Sequence, residues 1–368
     1  MRVQVVDPSA YTRPYDHALC TALAQAGADV ELITSAFAYG TAPAPDGYRL
    51  RELFYRRASG PPGSRLRLAT KLVEHVPDML RYRRVATATD VAHFQWLTVQ
   101  WLDRHLLPAR PTVLTAHDLL PREPRLTQAR AQRRLYEAVD GVVAHSAYGR
   151  GLLVDELGVD AAKVHVVPHG AFEYLTQLDG QLPAELGEPD RLVILFFGLL
   201  RPYKGVDVLL NAWRRSGLAE RAELWVVGRP RMSLEPLVDS APTGLRLVPR
   251  FVSDGELAAC FRRADAVVLP YSRTERLDFS GVLATALAFG KAIVLTDVGA
   301  FSEVAAVGAA RLVPADDPAA LGAALEELID DPAERERLAV GASQAAAGPY
   351  SWGEAARRSL ALYAELIG

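Results

Sequence analysis

Cysteine is scarce in this chain: Cys20 and Cys260 are the only two among 368 residues. They lie in apolar helical stretches of different halves. That excludes a disulfide framework or a cysteine metal cluster, and both read as reduced core residues. Long apolar runs are also missing. No stretch approaches the roughly 18 residues of a membrane span, and the opening MRVQVVDPSAY lacks the apolar region of a secretory signal. Cytoplasmic location is the resulting expectation. The first strand-to-helix loop, DPSAYTRPYDHA, has no glycine. A dinucleotide-binding G-x-G-x-x-G is therefore absent, which counts against a dehydrogenase. No Asp-x-Asp sits at a strand end and no ligand cluster is visible, so no metal is expected. The net charge of -3 is too small to argue for nucleic acid.

The length exceeds one ordinary core, and two domains are expected. Half the residues are hydrophobic and 23% charged, as in globular proteins. The small net charge hides an asymmetry. Residues 1–172 hold 21 Lys and Arg against 17 Asp and Glu, which leaves 20 against 27 for the rest, and all 8 histidines fall in the first part. Strand and helix patterns alternate from the start, with Val3 to Val6, a helix from about Tyr15 to Gln25, then Val30 to Ile33. That is the opening of a parallel α/β layer. Further strands are expected at 113–116, 223–227, 245–248, 266–269, 292–296 and 311–313. Residues 171–190 have turn residues and weak periodicity and read as a hinge.

The most informative stretch is 191–206, RLVILFFGLLRPYKGV. Its unbroken apolar run predicts a strand buried on both faces. It ends at Gly198, and Arg201 and Lys204 follow before Gly205 opens an amphipathic helix. In a doubly wound sheet, ligands bind outside the carboxyl ends of the strands, where a helix N-terminus already favours anions. A guanidinium and an ammonium there suit a diphosphate. A second anion site is expected where Ser280 and Gly281 precede the apolar helix beginning at Val282. In the first half, polar residues follow strands at His93, His117-Asp118, His145-Ser146 and His169-Gly170. Ser146 reads best as a helix cap, and Ser253 with Glu256 as a capping box. Trp96 and Trp101 read as core packing or as a sugar platform. Residues 65–84 combine leucines with Arg65, Arg67, Lys71, Arg81, Arg83 and Arg84. This is either a core-facing helix with a solvated basic rim or a helix lying on an anionic membrane surface.

Taken in order, these segments resemble the retaining family 4 glycosyltransferases of the GT-B fold. The resemblance rests on Gly198, Arg201, Lys204 and Gly205, on the strand ending in His117-Asp118, on the strand-then-Ser at Ser146 and the Pro-x-Gly before the linker, and on the block around Ala286 to Gly290. It implies an α/β protein of two Rossmann-like domains facing each other across a cleft. Residues 1–172 would be the acceptor-binding domain, joined by a C-terminal helix 350–368, with a hinge at 173–190 and a donor-binding domain at 191–349. The implied reaction moves a sugar from a nucleotide-diphosphate donor to an acceptor hydroxyl of a small molecule, glycan or lipid, with no cofactor. Arg201 and Lys204 would take the charge of the leaving diphosphate, His117 would orient the donor sugar, and Asp278 or Glu275 would supply a carboxylate. Phe251, Val252 and Leu257 would surround the base. Ser280, Gly281 and Val282 would meet the diphosphate, and Thr285 stands where the family has the ribose-binding glutamate, with Leu277 at the other glutamate position. Tyr11, Tyr15, Asp16 and His93 are acceptor-side candidates. The degenerate glutamate pair leaves two other readings open, a nucleotide-sugar-binding protein with weak turnover and another GT-B enzyme, an epimerase or phosphorylase.

Overall fold

The computed structural model describes residues 1–38, 40, 43–61, 63–120, 128–234, 242–274 and 278–368. The chain divides into two compact units, Met1–Gly170 with Trp352–Gly368, and Ala171–Ser351.

In the first unit seven parallel strands line up in the order β3-β2-β1-β4-β5-β6-β7. They are β1 Arg2–Asp7, β2 Asp29–Thr34, β3 Arg49–Glu52, β4 Val91–Phe94, β5 Thr112–Thr115, β6 Gly141–Ala144 and β7 Val164–Val166. The four central strands are buried almost throughout, as expected where helices cover both faces. The edge strand β3, RLRE, is exposed and charged, which blunts its unpaired edge. Val6, Ile33, Met79, Tyr82, Phe94, Leu114 and Tyr136 meet in one core. The C-terminal helix Trp352–Ile367 packs on the helix Arg13–Gln25 of this unit.

The second unit has six parallel strands in the order β10-β9-β8-β11-β12-β13. They are β8 Leu192–Phe197, β9 Ala222–Val227, β10 Leu245–Val248, β11 Ala266–Leu269, β12 Ala292–Thr296 and β13 Arg311–Val313. The apolar run of β8 is central, between β9 and β11. Ile194 and Phe196 pack with Leu209, Leu210 and Trp213 of the helix Val206–Arg215. Each such side chain contributes about 1.5 to 3 kcal/mol of burial. In both sheets the strand order reverses at one place, between β1 and β4 and between β8 and β11. Those are the switch points at which α/β sheets bind ligands. Residues 173–177 form a short 3-10 helix packed against helices of the second unit.

The helix at 65–84 faces the core, through Met79 and Tyr82, but with most of its leucines outward. It spans Arg65–Val85, started by the Ser64 hydroxyl accepting from Arg67 N, and keeps Pro77 in its interior. Its inward face carries His75, Asp78, Met79 and Tyr82, with His75 paired to Asp103. The leucines point outward instead: Leu66, Leu68, Leu72, Val73 and Leu80 are all exposed, Val73 to 77%. The pairing of two buried polar groups fixed the helix's rotation. Periodicity alone does not show this.

Candidate functional site

In the second unit the site grows from the loop after β8. Gly205 adopts a left-handed φ of +66°, and a Cβ there would stand 1.8 Å from Pro270 O. Only glycine allows the β8 loop to touch the β11 loop this closely, and Ser272 N donates to Tyr203 O, 2.9 Å, at the same contact. Lys204 is thereby buried, 7% exposed, with Nζ donating to Tyr271 Oη at 2.8 Å and lying 4.9 Å from the Tyr271 ring centre. Tyr271 Oη lies 3.1 Å from Ser280 Oγ. One hydrogen-bonded line therefore joins the β8 loop, the β11 end and the start of the helix Gly281–Ala288. Ser280 is the N-cap of that helix, yet its hydroxyl goes to Tyr271 and makes no capping bond. Gly198, at φ +116°, closes the group: a Cβ there would stand 3.0 Å from Lys204 Nζ and 3.1 Å from Val282 Cγ2. Arg201 Nε is buried with no hydrogen-bond partner among the described residues. Buried guanidinium N–H groups are costly to leave unpaired, so this arrangement suits an anion.

Asp278 is 2% exposed, so it is no solvated loop acid, and it lies between the Tyr271 segment and Ser280. Glu275 and Leu277 lie outside the described residues. Thr285 is buried in the helix and donates to Gly281 O at 2.9 Å. Its hydroxyl proton is committed, and towards a ribose it could only accept. Phe251 is 65% exposed while Val252 is buried and Leu257 half-buried. The segment is braced by Arg250, which pairs with Glu185 and Glu256, while Glu256 also completes the capping box with Ser253.

In the first unit the strand ends gather an aromatic and imidazole cluster. Tyr15 lies at its middle, with ring centres of His117 at 4.7 Å, Trp352 at 4.9 Å, His169 at 5.0 Å and His145 at 5.5 Å. Trp96 stacks on His117 at 5.1 Å and 18°. Burial holds these histidines neutral. His117 is pushed well below the ordinary imidazole value, first by burial and then by the charges of His145, His169 and His93. Burial takes His145 to about 4 and His169 to about 3. On the other side of Trp96, whose Nε1 donates to Thr12 Oγ1 at 3.0 Å, lie two buried acids. Asp7 accepts from Ser9 N and Thr12 N, and Asp16 Oδ1 accepts from Thr12 Oγ1. Burial and then the Asp7 charge push Asp16 well up. Tyr11 is exposed at the rim, with Lys71 Nζ 5.9 Å from its ring centre and 4.8 Å from that of Tyr55.

Residues 15–171 match the family described as Glycosyltransferase Family 4, and residues 191–331 match Glycosyl transferases group 1. A D-inositol 3-phosphate glycosyltransferase of Actinosynnema mirum is 31% identical over 386 residues, 94% of this chain and 89% of its own. The chain belongs to glycosyltransferase family 4. A protein of the same name from Kineococcus radiotolerans is 29% identical, covering 95% of this chain and 89% of its own. Sucrose-phosphate synthase from Thermosynechococcus elongatus superposes with a TM-score of 0.75 at 19% identity, covering 100% of this chain and 99% of that one. Anabaena HepE, in complex with UDP-glucose, superposes at 0.73 and 16% identity over 100% of both chains. The fold is GT-B, two α/β domains with parallel sheets, and the protein is a glycosyltransferase.

Within this family 4 protein, the expected residues fall into separate groups. Gly198, Lys204, Ser280 and Val282 converge. Tyr15 and His117 are in contact in the first unit. Two acceptor-side candidates, His93 and Asp16, lie in the interior of the first unit. His93 is buried at the centre of β4, its ring nitrogens bonded to Tyr363 Oη and Thr115 Oγ1, and burial takes it to about 3. Asp16 is fully buried in its carboxyl pair. His93 has both ring nitrogens bonded there, and Asp16 Oδ1 accepts from Thr12 Oγ1. The sequence reading missed Tyr271, Gln95 and Trp352, and it placed Lys71 on a basic rim, away from the Tyr11 loop. Only Tyr271 had a local signal, as the aromatic ending an apolar strand. Among the described residues no group of three His, Cys, Asp or Glu has metal-holding geometry.

Tyr271→Phe removes the hydroxyl on which Lys204 rests. Nucleoside diphosphate binding is expected to weaken about fivefold, the worth of one hydrogen bond, by calorimetric titration, with the melting temperature little changed. The neutral histidines set a pH dependence. Each binds a proton when unfolded below its ordinary value of 6.5 but not when folded, so their stabilisation is present above that pH and is lost as pH falls towards 3 to 4. Each should cost roughly 2 kcal/mol of stability between pH 6.5 and 5. The raised Asp16 acts with opposite sign above its ordinary 3.8 and offsets part of this. Denaturant titrations at the two pH values check it: His145→Gln should flatten the slope, and an unchanged slope would refute the account.

Proposed function

We propose that this enzyme transfers a sugar from a nucleoside diphosphate sugar, with retention, to a hydroxyl of a small polyol phosphate or a related acceptor. The observation that carries the donor half is the meeting of Lys204, Tyr271, Ser280 and Gly198 at the β8/β11 switch point, in the loop where Arg201 Nε has no partner among the described residues. The bond from sugar C1 to the distal phosphate breaks, and the acceptor oxygen bonds to C1 on the same face. The acceptor proton passes to the departing phosphate oxygen. Arg201 and Lys204 stabilise the charge that develops on that diphosphate, where fixed donors in a dry site have their largest effect. Gly281 and the helix start behind it contribute backbone N–H groups, Asp278 is the nearby carboxylate, and Thr285 accepts from the ribose. Val252 and Leu257 form the base end with the backbone of Phe251. His117 serves the same reaction as a neutral ring at the end of β5 in the first unit.

For the acceptor half, the supporting observations are Tyr11 and the half-buried Lys71 at the end of β1. Burial and then Arg67 push the Lys71 ammonium down from its ordinary value. A cation so placed suits an anionic acceptor, in keeping with relatives named for D-inositol 3-phosphate. In this reading the first unit is the acceptor-binding domain and the second the donor-binding domain, with the nucleotide sugar as co-substrate and no cofactor. No helix among the described residues is long and apolar enough to cross a membrane. A second reading of the acceptor as a lipid is favoured by the outward leucines of the helix Arg65–Val85 and by exposed Arg81, Arg83 and Arg84.

A thermal-shift series over UDP-, GDP-, ADP- and dTDP-sugars identifies the donor, because a ligand bound only to the folded state raises its stability. With that donor, Arg201→Ala and Lys204→Ala should each lower turnover about a hundredfold or more. Turnover near wild type in both variants would sink the mechanism. For the lipid reading, co-sedimentation with anionic vesicles should be lost in high salt, since surface attraction is screened within about 10 Å at 0.1 M. Equal binding to neutral vesicles, or none to either, returns the helix to a role without lipid.

A further inference from the structure

His117 stands in a line of hydrogen bonds whose proton positions follow from its far end. His145 Nδ1 lies 3.0 Å from Val167 O. A carbonyl can only accept, so that nitrogen carries the proton and, in a neutral ring, His145 Nε2 does not. His145 Nε2 faces His117 Nδ1 at 3.4 Å. The proton between them therefore belongs to His117 Nδ1. His117 Nε2 is left as an acceptor, and it lies 3.0 Å from the side-chain amide of Gln95. With its oxygen toward the ring, Gln95 leaves its amide nitrogen buried without a partner among the described residues. That orientation also needs a proton on Nε2, hence an imidazolium in a site where burial opposes charge. Turned about, the amide nitrogen donates to Nε2 and the line is consistent with neutral rings throughout.

We propose that Gln95 and His145 are positioning residues of the transfer reaction, which hold His117 as the Nδ1–H tautomer with its ring plane fixed against Trp96. Gln95 is fully buried just after β4 and His145 is buried just after β6, so they flank the β5 end that carries His117. Trp96 covers one face of the ring and Tyr15 meets it edge-on. Both ring nitrogens of His117 are committed within the protein. The proposed function then draws on its ring edge and backbone and requires no proton from it.

This inference rests on the proposed function for its kinetic part only. Histidine labelled with ¹⁵N distinguishes protonated from bare ring nitrogens. At pH 7, His117 should show a protonated Nδ1 and a bare Nε2. A protonated Nε2, alone or with Nδ1, would overturn the proposal whatever the protein transfers. Gln95→Glu places a carboxylate opposite Nε2. The titratable groups facing the ring are His93, His145, His169 and Tyr15, and none supplies a counter-charge, so His117 should become an imidazolium at pH 7 in the same spectrum. His145→Phe removes the Nδ1 acceptor while keeping a ring in the cluster. It should mix the His117 tautomers and lower kcat about fivefold, the worth of one hydrogen bond, at little change in donor KM. An unchanged His117 spectrum in both variants would show that the two residues only fill space.

Discussion

The second unit of this protein is arranged around one buried ammonium. Lys204 is almost fully enclosed, and an enclosed charge persists only if oriented groups replace its lost hydration. Tyr271 does so twice, with its hydroxyl and with its ring face. Tyr271 reaches Lys204 because the β8 and β11 loops touch, and they touch because residue 205 has no Cβ. The parallel sheet sets this up by placing β11 directly beside β8, out of chain order. Ser280, drawn to Tyr271 instead of capping its own helix, leaves that helix start open toward the same place.

The first unit meets the opposite demand with neutral groups. Its β4, β5, β6 and β7 ends bring His117, His145 and His169 within ring contact, yet burial strips their charge. Three imidazolium ions at about 5 Å could not share a low-dielectric pocket. The cluster therefore behaves as a hydrogen-bonded aromatic wall, supported from behind by Tyr15 and by Trp352 of the C-terminal helix. The charged groups of this unit are kept apart from it: Lys71 lies over tyrosine rings, and Asp16, its carboxyl raised by burial and by the nearby Asp7, accepts from Thr12 Oγ1.

Much was determined by the sequence alone. The apolar runs at 192–197 and 292–296 have the pattern of buried strands, and their alternation with helices implies parallel sheets. Gly198, Lys204 and Gly205 were legible as one loop at a strand's carboxyl end, because a glycine, a cation and a helix start follow the apolar run in order. Caps were equally local: Ser146 and the Ser253–Glu256 box sit where three-residue spacing places them. The family could be read from the order of such segments.

Only the tertiary structure decided which polar groups face inward. His93 and His117 both follow apolar runs in the sequence, but His93 lies inside β4 and His117 two residues past β5. Tyr363, 270 residues away in sequence, claims the first for the interior. Tyr271 becomes the partner of Lys204 through strand order, and Gln95 and His145 become partners of His117 through register. The helix at 65–84 carries enough leucine to be turned either way, and pairing of His75 with Asp103 turned it leucines outward. Periodicity records how apolar a face is. Which face is buried depends on partners that are distant in the chain, because an unpaired polar group in the interior costs more than a leucine left in water.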